Sequence, residues 1–385
     1  MKKTVPQLLV LILLVLAIST ATPAQDTQTL AVNGGVKTDS NSALSQTVPG
    51  GLAALPEADT LIFINSRRIL NEAAPRLMPE NDLANMRKTF ADIKQFAGVD
   101  PSNVDYIVVA VRFRKPTAEL TFVPPEFMAV ASGDFNSESL MGLARMASEG
   151  KLRDEKYGTK TLGLMTIDPI AKEAEKNPIL KSFSEVGIVP LNATTIGIGS
   201  TAYLKAAIDA EEGNKRISAE SLNSLLRDPS VLISIAGSPL TSFSKSFGLL
   251  GTEVNARAPR CDSKFGDFYA AVTMDTSNFL MRGALNADNP DTARIINSLI
   301  NGLLRQAISS VPDPAAQSLL KALSITPLEN EIVLRADVPQ QTVADIIKEQ
   351  MKPKKKAEES AAPATTEPPA KKRPVRRRTR RSSKQ

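Results

Sequence analysis

Short apolar runs separated by polar turns dominate residues 52–351. Thr60–Asn65 (TLIFIN), Tyr106–Phe113 (YIVVAVRF), Thr159–Thr166, Thr194–Gly199, Val231–Ala236 (VLISIA), Phe268–Met274 and Glu331–Val338 are of this kind. Runs of this length, rich in Ile, Val and Phe, predict strands, the central ones buried on both faces. Helical spacing is rarer. Leu83, Met86, Phe90, Ile93 and Ala97 recur at steps of three or four, which predicts a helix over Asp82–Ala97 closed by Gly98. Thr201–Glu211, with Leu204, Ala207 and Ile208 facing inward, and Gln340–Met351 are further helices. A helix capped by Ser66 runs through Leu70 and is broken by Pro75 and Pro79. Asp168-Pro169 and Ser238-Pro239 each open a helix, since proline suits the first helical position.

One stretch occurs twice. Phe127–Ala144 (FMAVASGDFNSESLMGLA) and Phe279–Ile296 (FLMRGALNADNPDTARII) share an apolar run, a turn of acids and amides, and a helix opening. The flanking segments recur in the same order. Thr60–Asn65 matches Val231–Ala236, Tyr106–Phe113 matches Phe268–Met274, and Ile196–Ile208 matches Glu331–Met351. The offset shrinks from 152 residues (127 to 279) to 136 (196 to 332), as deletions in loops would produce. The expected fold is α+β, with two related units of mixed β-sheet covered by helices. A first unit is placed at 51–213, a connection at 214–226 and a second unit at 227–351.

The ends differ from the body. Lys2 and Lys3 precede an apolar run, Leu8–Ile18, of eleven residues, against the roughly twenty that a spanning helix needs. This predicts a signal peptide over 1–24, cut after Thr22-Pro23-Ala24 or, as second choice, after Ser19-Thr20-Ala21. An uncleaved anchor is the alternative. Residues 25–50 are a polar spacer, expected to be disordered. The mature chain is expected to lack a transmembrane helix and to be periplasmic or extracellular, associated with a surface.

Charge is unevenly divided. Thirteen of the 47 Lys/Arg and three of the 41 Asp/Glu lie at 352–385, leaving 34 basic and 38 acidic residues in the rest. The overall charge of +6 therefore combines a tail of +10 with a body of −4. The tail holds two basic clusters on a Pro/Ala-rich segment. One is Lys352, Lys354, Lys355 and Lys356; the other is Lys371, Lys372, Arg373, Arg376, Arg377, Arg378, Arg380 and Arg381. Such a segment cannot fold alone. Behind a secretory leader, it points to an anionic membrane surface or envelope polymer rather than to a specific nucleic-acid site. A solubilising tail with no fixed partner is the alternative.

Several chemistries are excluded or weakened by composition. The chain has no His, which removes imidazole ligands and His-based triads. It has one Cys and no Trp. Cys261 lies beside Arg260, which lowers a thiol pKa, yet it has no His partner. Gly197-Ile198-Gly199-Ser200-Thr201-Ala202 matches G-x-G-x-x-A between a strand and a helix, the setting of a dinucleotide site. No acid-terminated second strand follows and the second unit lacks the pattern, so a tight structural turn is favoured. Asp134, Asn136 and Glu138, with Asn286, Asp288 and Asp291 in the second copy, have alternating oxygen ligands. The calcium loop, however, needs Gly and Glu where Ser139 and Arg145 stand, so helix capping by Asn136 or Ser137 and by Asn289 is favoured. S-x-x-K occurs at Ser148/Lys151, Ser242/Lys245 and Ser318/Lys321 without its companion motifs; Lys160-Thr161-Leu162 is only a near miss. No catalytic, metal or cofactor residue is assigned.

The segments LPEADTLIFIN, FMAVASGDFN and TTIGIGSTAYLKAAID together resemble uncharacterised bacterial exported proteins with a duplicated α+β domain. The resemblance spans about 52–351 and implies export and fold, with no catalytic motif to carry over. The expected function is a non-enzymatic cell-envelope protein with a binding or assembly role, its polybasic tail contacting anionic polymer or membrane. The alternative is an envelope hydrolase using a Ser/Lys or carboxylate pair.

Overall fold

The computed structural model describes residues 51–52, 55–114, 125–166, 185–237, 265–311 and 314–351. Strand β1 (Thr60–Ile64) leads into α1 (Ser66–Arg68), a π turn (Ile69–Ala73) and α2 (Ala74–Leu77). The long helix α3 (Glu80–Ala97) and a 3-10 turn (Pro101–Asn103) follow. Next come β2 (Val104–Arg112), β3 (Glu126–Gly133), α4 (Ser137–Ala147), β4 (Arg153–Tyr157) and β5 (Lys160–Thr166). After β6 (Glu185–Asn192) and β7 (Thr195–Gly199) come α5 (Thr201–Glu211), α6 (Ala219–Leu225) and β8 (Ile233–Gly237). The chain continues through β9 (Phe265–Met274), β10 (Asn278–Ala287), α7 (Pro290–Ser310), α8 (Pro314–Ala322), β11 (Ser324–Leu328), β12 (Glu331–Pro339) and α9 (Gln340–Met351).

Among the described residues, the twelve strands join one sheet, in the order β11-β12-β10-β9-β8-β1-β2-β3-β7-β6-β5-β4. Every ladder is antiparallel. The expectation of two mixed sheets is therefore corrected. β1 and β8 pair along their full length, from Thr60 opposite Gly237 to Ile64 opposite Ile233, and this ladder fuses the halves into one sheet. Read outward from that pair, one half runs β1, β2, β3, β7, β6 and the other β8, β9, β10, β12, β11. β3 and β10 are both third from the centre, and each runs through an Asn-capped turn into a helix.

The two faces of the sheet are covered differently. On one face, the alternate residues Leu61, Phe63, Val108, Ala110, Met128 and Val130 meet Tyr203, Leu204, Ala207 and Ile208 of α5 and Leu222 and Leu225 of α6 in the main core. The connection at 214–226 thus carries a helix seated in that core. On the other face, α7 packs Ala293 and Ile296 against Ala287 and Ile332 at the far end of the second half. Between these lies an apolar strip of Ile62, Val109 and Val111, flanked by Ile64, Ile107 and Ile235.

Two local expectations change. Asn65, not Ser66, caps the first helix, its side chain accepting from the Arg68 N–H at 3.1 Å. Pro75 does not break that segment. The preceding π turn closes with Ala74 N–H bonded to Ile69 O, and Pro75 falls at the start of α2, where a missing N–H matters least. The break comes at Met78, which is extended before Pro79. Helix α3 starts two residues before the expected Asp82 and ends on Gly98 at φ +66. Its stripe is only partly sheltered: Leu83 is buried, but Ile93 is 39% exposed. Among the described residues, no helix is long and apolar enough to cross a membrane.

Candidate functional site

The sequence motifs resolve into local structure. Gly197 and Gly199 lie on β7, between β3 and β6 and antiparallel to both. A Cβ at Gly199 would stand 2.3 Å from the Phe127 carbonyl oxygen, and one at Gly197 would press on Leu204 at 3.3 Å. Both glycines are thus accounted for by the approach of β3 and of the first turn of α5. Ser200 closes the turn by donating from its hydroxyl to Phe127 O at 3.3 Å.

The two acidic turns are helix caps. Asn136 Oδ1 accepts from Ser139 N–H at 2.9 Å, and Asn289 Oδ1 accepts from Thr292 N–H at 2.8 Å. Ser137 is buried and donates to the Asn192 carbonyl. Asp291 pairs with Arg294 at 2.7 Å on the exposed side of α7. Among the described residues, no cluster of three or more Asp, Glu or Cys side chains is placed to hold a metal ion.

Of the Ser–Lys pairs, Ser148 ends α4, donating to Arg145 O at 2.8 Å and accepting from Leu152 N–H at 3.2 Å. Its hydroxyl is committed to the turn, while Lys151 is exposed. Ser318 and Lys321 are exposed on α8. Lys160 donates to Leu191 O at 2.5 Å and pairs with Glu211 at 3.2 Å, fastening β5 to α5. Ser242, Lys245 and Cys261, the leader and spacer at 1–50, the helix expected from Asp168-Pro169, and every basic tail residue from Lys352 to Arg381 lie outside the described residues.

The structure assembles one ionic cluster that the sequence did not signal. Glu126, at the start of β3, is 5% exposed. Arg112 grips it through Nε at 2.9 Å and through Nη2, while Arg114 stands 2.6 Å from its other oxygen. The Arg112 guanidinium also lies over the Tyr203 ring, 4.9 Å from its centre. Tyr203 is fully buried and donates to Glu57 O at 2.9 Å. Burial pushes its phenol far above the ordinary value, against the opposing pull of Arg112. Asp59 accepts from the Phe113 N–H at 2.6 Å at the same end of the sheet. The cluster ties β1, β2, β3 and α5 together, with one buried carboxylate shared between two guanidiniums. It reads as a clamp rather than as a reactive centre.

A second feature is a shallow depression of about 380 Å³ on the second half. Arg227, Asp228, Pro229, Tyr269 and residues 282–284 line it.

Comparison with known proteins places the chain in no family: no family model matches, and no curated protein matches. Among solved structures it is similar to TP0453. Crystal form I of TP0453 aligns over 79% of this chain and 98% of that one, with a TM-score of 0.41 and 12% identity. Form III aligns over 77% and 97%, with a TM-score of 0.40 and 10% identity. A likeness of this degree carries no inference about this chain.

Proposed function

We propose that this chain is a non-enzymatic, exported cell-envelope protein whose acidic body is held near an anionic surface by its basic tail. The observation that carries the reading is the division of charge: +10 over 352–385 against −4 over the rest. Lys/Arg near an anionic membrane contribute about 1 kcal/mol each. Thirteen of them on a segment with little to bury form a tether, while the body is weakly repelled by the same surface.

The body is a duplicated unit on this reading. The matching strand order of the two halves supports it, as do the paired Asn caps after β3 and β10. Two antiparallel copies meeting at β1 and β8 close each other's open edge, which gives the duplication a physical reason. The use of Ser148 as a cap removes one nucleophile that a Ser/Lys hydrolase would need.

Export is tested by the intact mass of the protein recovered outside the cytoplasm. Loss of residues 1–24 is expected, and a mass retaining Met1 contradicts it. The tether is tested by sedimentation with anionic vesicles, described at the close of the Discussion.

A further inference from the structure

The two halves of the sheet differ most where α5 has no counterpart. In the first half, α5 lies across β3, β7 and β6 and fills the core. In the second half, the helix after β12, α9, runs beside α8 and α2 instead. The face of β9, β10 and β12 that carries Tyr269, Arg282 and Arg335 is left with Arg282, Arg335 and Asp337 exposed.

That face is charged in an unusual way. Arg282 and Arg335 stand directly opposite one another across β10 and β12. Like charges so placed are destabilising, since their Cβ atoms lie about 5 Å apart. One acid, Asp337, pairs with Arg282 at 2.6 Å. Among the described residues the Arg335 side chain has neither an ion pair nor a hydrogen bond, its backbone being paired in the sheet. A third guanidinium, Arg227, covers the Tyr269 ring at 5.9 Å from its centre, at the wall of the depression. Asp228 beside it is already occupied, accepting from the Ser230 N–H and hydroxyl at 2.7 and 2.6 Å. Tyr269 is half-buried, and burial raises its phenol above the ordinary value, so the hydroxyl stays a donor at neutral pH. Three arginines against two aspartates leave a net +1 on a body whose total is −4.

We propose that this depression binds an oxyanion, the carboxylate or phosphate group of a small soluble ligand. Arg282, whose Nη1 is held by Met281 O, Ala336 O and Asp337, lines the depression and offers its remaining N–H groups to the anion. Arg335, opposite it on β12 and outside the lining, reaches in from beside, and the Arg227–Tyr269 pair forms the wall. Planar guanidiniums match both groups through paired N–H donors. A volume of about 380 Å³ admits a ligand of modest size. The anion removes the repulsion between Arg282 and Arg335, which gives the opposed pair a purpose that folding alone does not. The site is separate from the tail, and neither depends on the other.

The test is calorimetric titration of the full chain with citrate and with glycerol phosphate. Four proteins are compared: unchanged, Arg282→Gln, Arg335→Gln, and Arg294→Gln as a control of equal charge on α7. All three arginines are exposed, so the fold is expected to survive each change. The tail is common to all four, so its binding cancels. The proposal expects Arg282→Gln and Arg335→Gln each to weaken binding of at least one probe about tenfold or more, with Arg294→Gln unchanged. Equal affinity in all four, or no binding of either probe at millimolar concentration, overturns it. Phosphatidylglycerol vesicles form a further arm. If only vesicle binding responds to Arg282→Gln, the site takes a lipid headgroup and the small-ligand proposal fails.

Discussion

Glu126 shows how much one residue can organise. It joins Arg112, the last residue of β2, and Arg114 just beyond it, and through Arg112 it reaches the Tyr203 ring. Removing one partner of a buried ion pair leaves the others uncompensated. Because Arg112 is itself about one-third exposed, Glu126→Ala is expected to lower stability by about 2 kcal/mol, short of the full buried-pair penalty. Tyr203→Phe keeps the packing and loses one hydrogen bond, for about 1 kcal/mol. Denaturant melts of both variants check the ranking; a larger effect of Tyr203→Phe would contradict the clamp. Neither partner was legible in the sequence, because Arg112 and Glu126 lie 14 residues apart along the chain and become neighbours only through the register of β2 and β3.

The tyrosines make a second residue-scale prediction. All four phenols are raised above the ordinary value near 10. Burial is the first cause for Tyr106, Tyr203 and Tyr269, and the bond to Asp209 for Tyr157. A raised folded pKa contributes stability that is whole below the unfolded value and is lost as pH rises toward the folded one. Phenolate absorbance of the folded protein should therefore rise above, not at, the ordinary value near pH 10. A normal titration of the folded chain would contradict this.

At the scale of elements, most strands with apolar runs were legible, β6 (EVGIVPLN) being missed, and those without were hidden. β1, β2, β7 and β12 appear as Ile/Val-rich runs and β5 as a short Leu/Met run, and α5 and α9 have the bounds that their spacing predicts. β4 (Arg153–Tyr157) was missed because an edge strand reading RDEKY has almost no apolar signal. Its charges serve the edge, since they discourage pairing with another chain. The opposite edge, β11, was also missed. There Pro327 removes one N–H and Asn301 of α7 bonds to Ile325 O at 3.2 Å, which blunts that edge by other means. The helix stripe of α3 was read correctly as spacing but not as burial, because its position beyond the sheet depends on where α2 ends.

The cap at Asn289 was read from sequence and that at Asn136 was narrowed to Asn136 or Ser137, since Asn followed by a helix opening is a local signal. Asn136→Ala and Asn289→Ala should each lower stability by about 1 kcal/mol, measured by thermal melts with Asn→Asp as the tolerated control. The glycines of β7 were legible only in part. Their spacing marked a turn, but the reason lies across the sheet, where Gly199 faces the β3 backbone. Gly199→Ala should destabilise by about 2 kcal/mol, because backbone and not a flexible side chain stands in the way. Wild-type stability in that variant would contradict the packing account.

For the whole molecule, acid is expected to loosen the body late. Bonds from Ser102 hold the Asp100 carboxyl below its usual range, and the Ser277 and Asn278 N–H groups do the same for Asp275. Arg68 lowers Glu72 and Lys205 lowers Glu155. Depressed folded values contribute stability that is present above the unfolded pKa near 4 and lost as pH falls through the folded ones. The thermal midpoint should stay level from pH 7 to about 5 and fall below about 4. A fall that is complete above pH 5 would contradict this.

The sequence suggested a repeated order of segments but did not announce a single sheet. Nothing local announces that β1 and β8, separated by most of the first half, are neighbours; that pairing is a property of the assembled fold. The division of charge between tail and body, by contrast, is a matter of sequence alone. The most direct test of the tether is co-sedimentation of the full chain, and of a chain ending at residue 351, with neutral and anionic vesicles across a salt series. The full chain should bind anionic vesicles only. Its binding should fall steeply as salt shortens the screening length to about 8–10 Å and below, and the shortened chain should not bind. Equal binding by both forms, or binding indifferent to salt, would contradict the account.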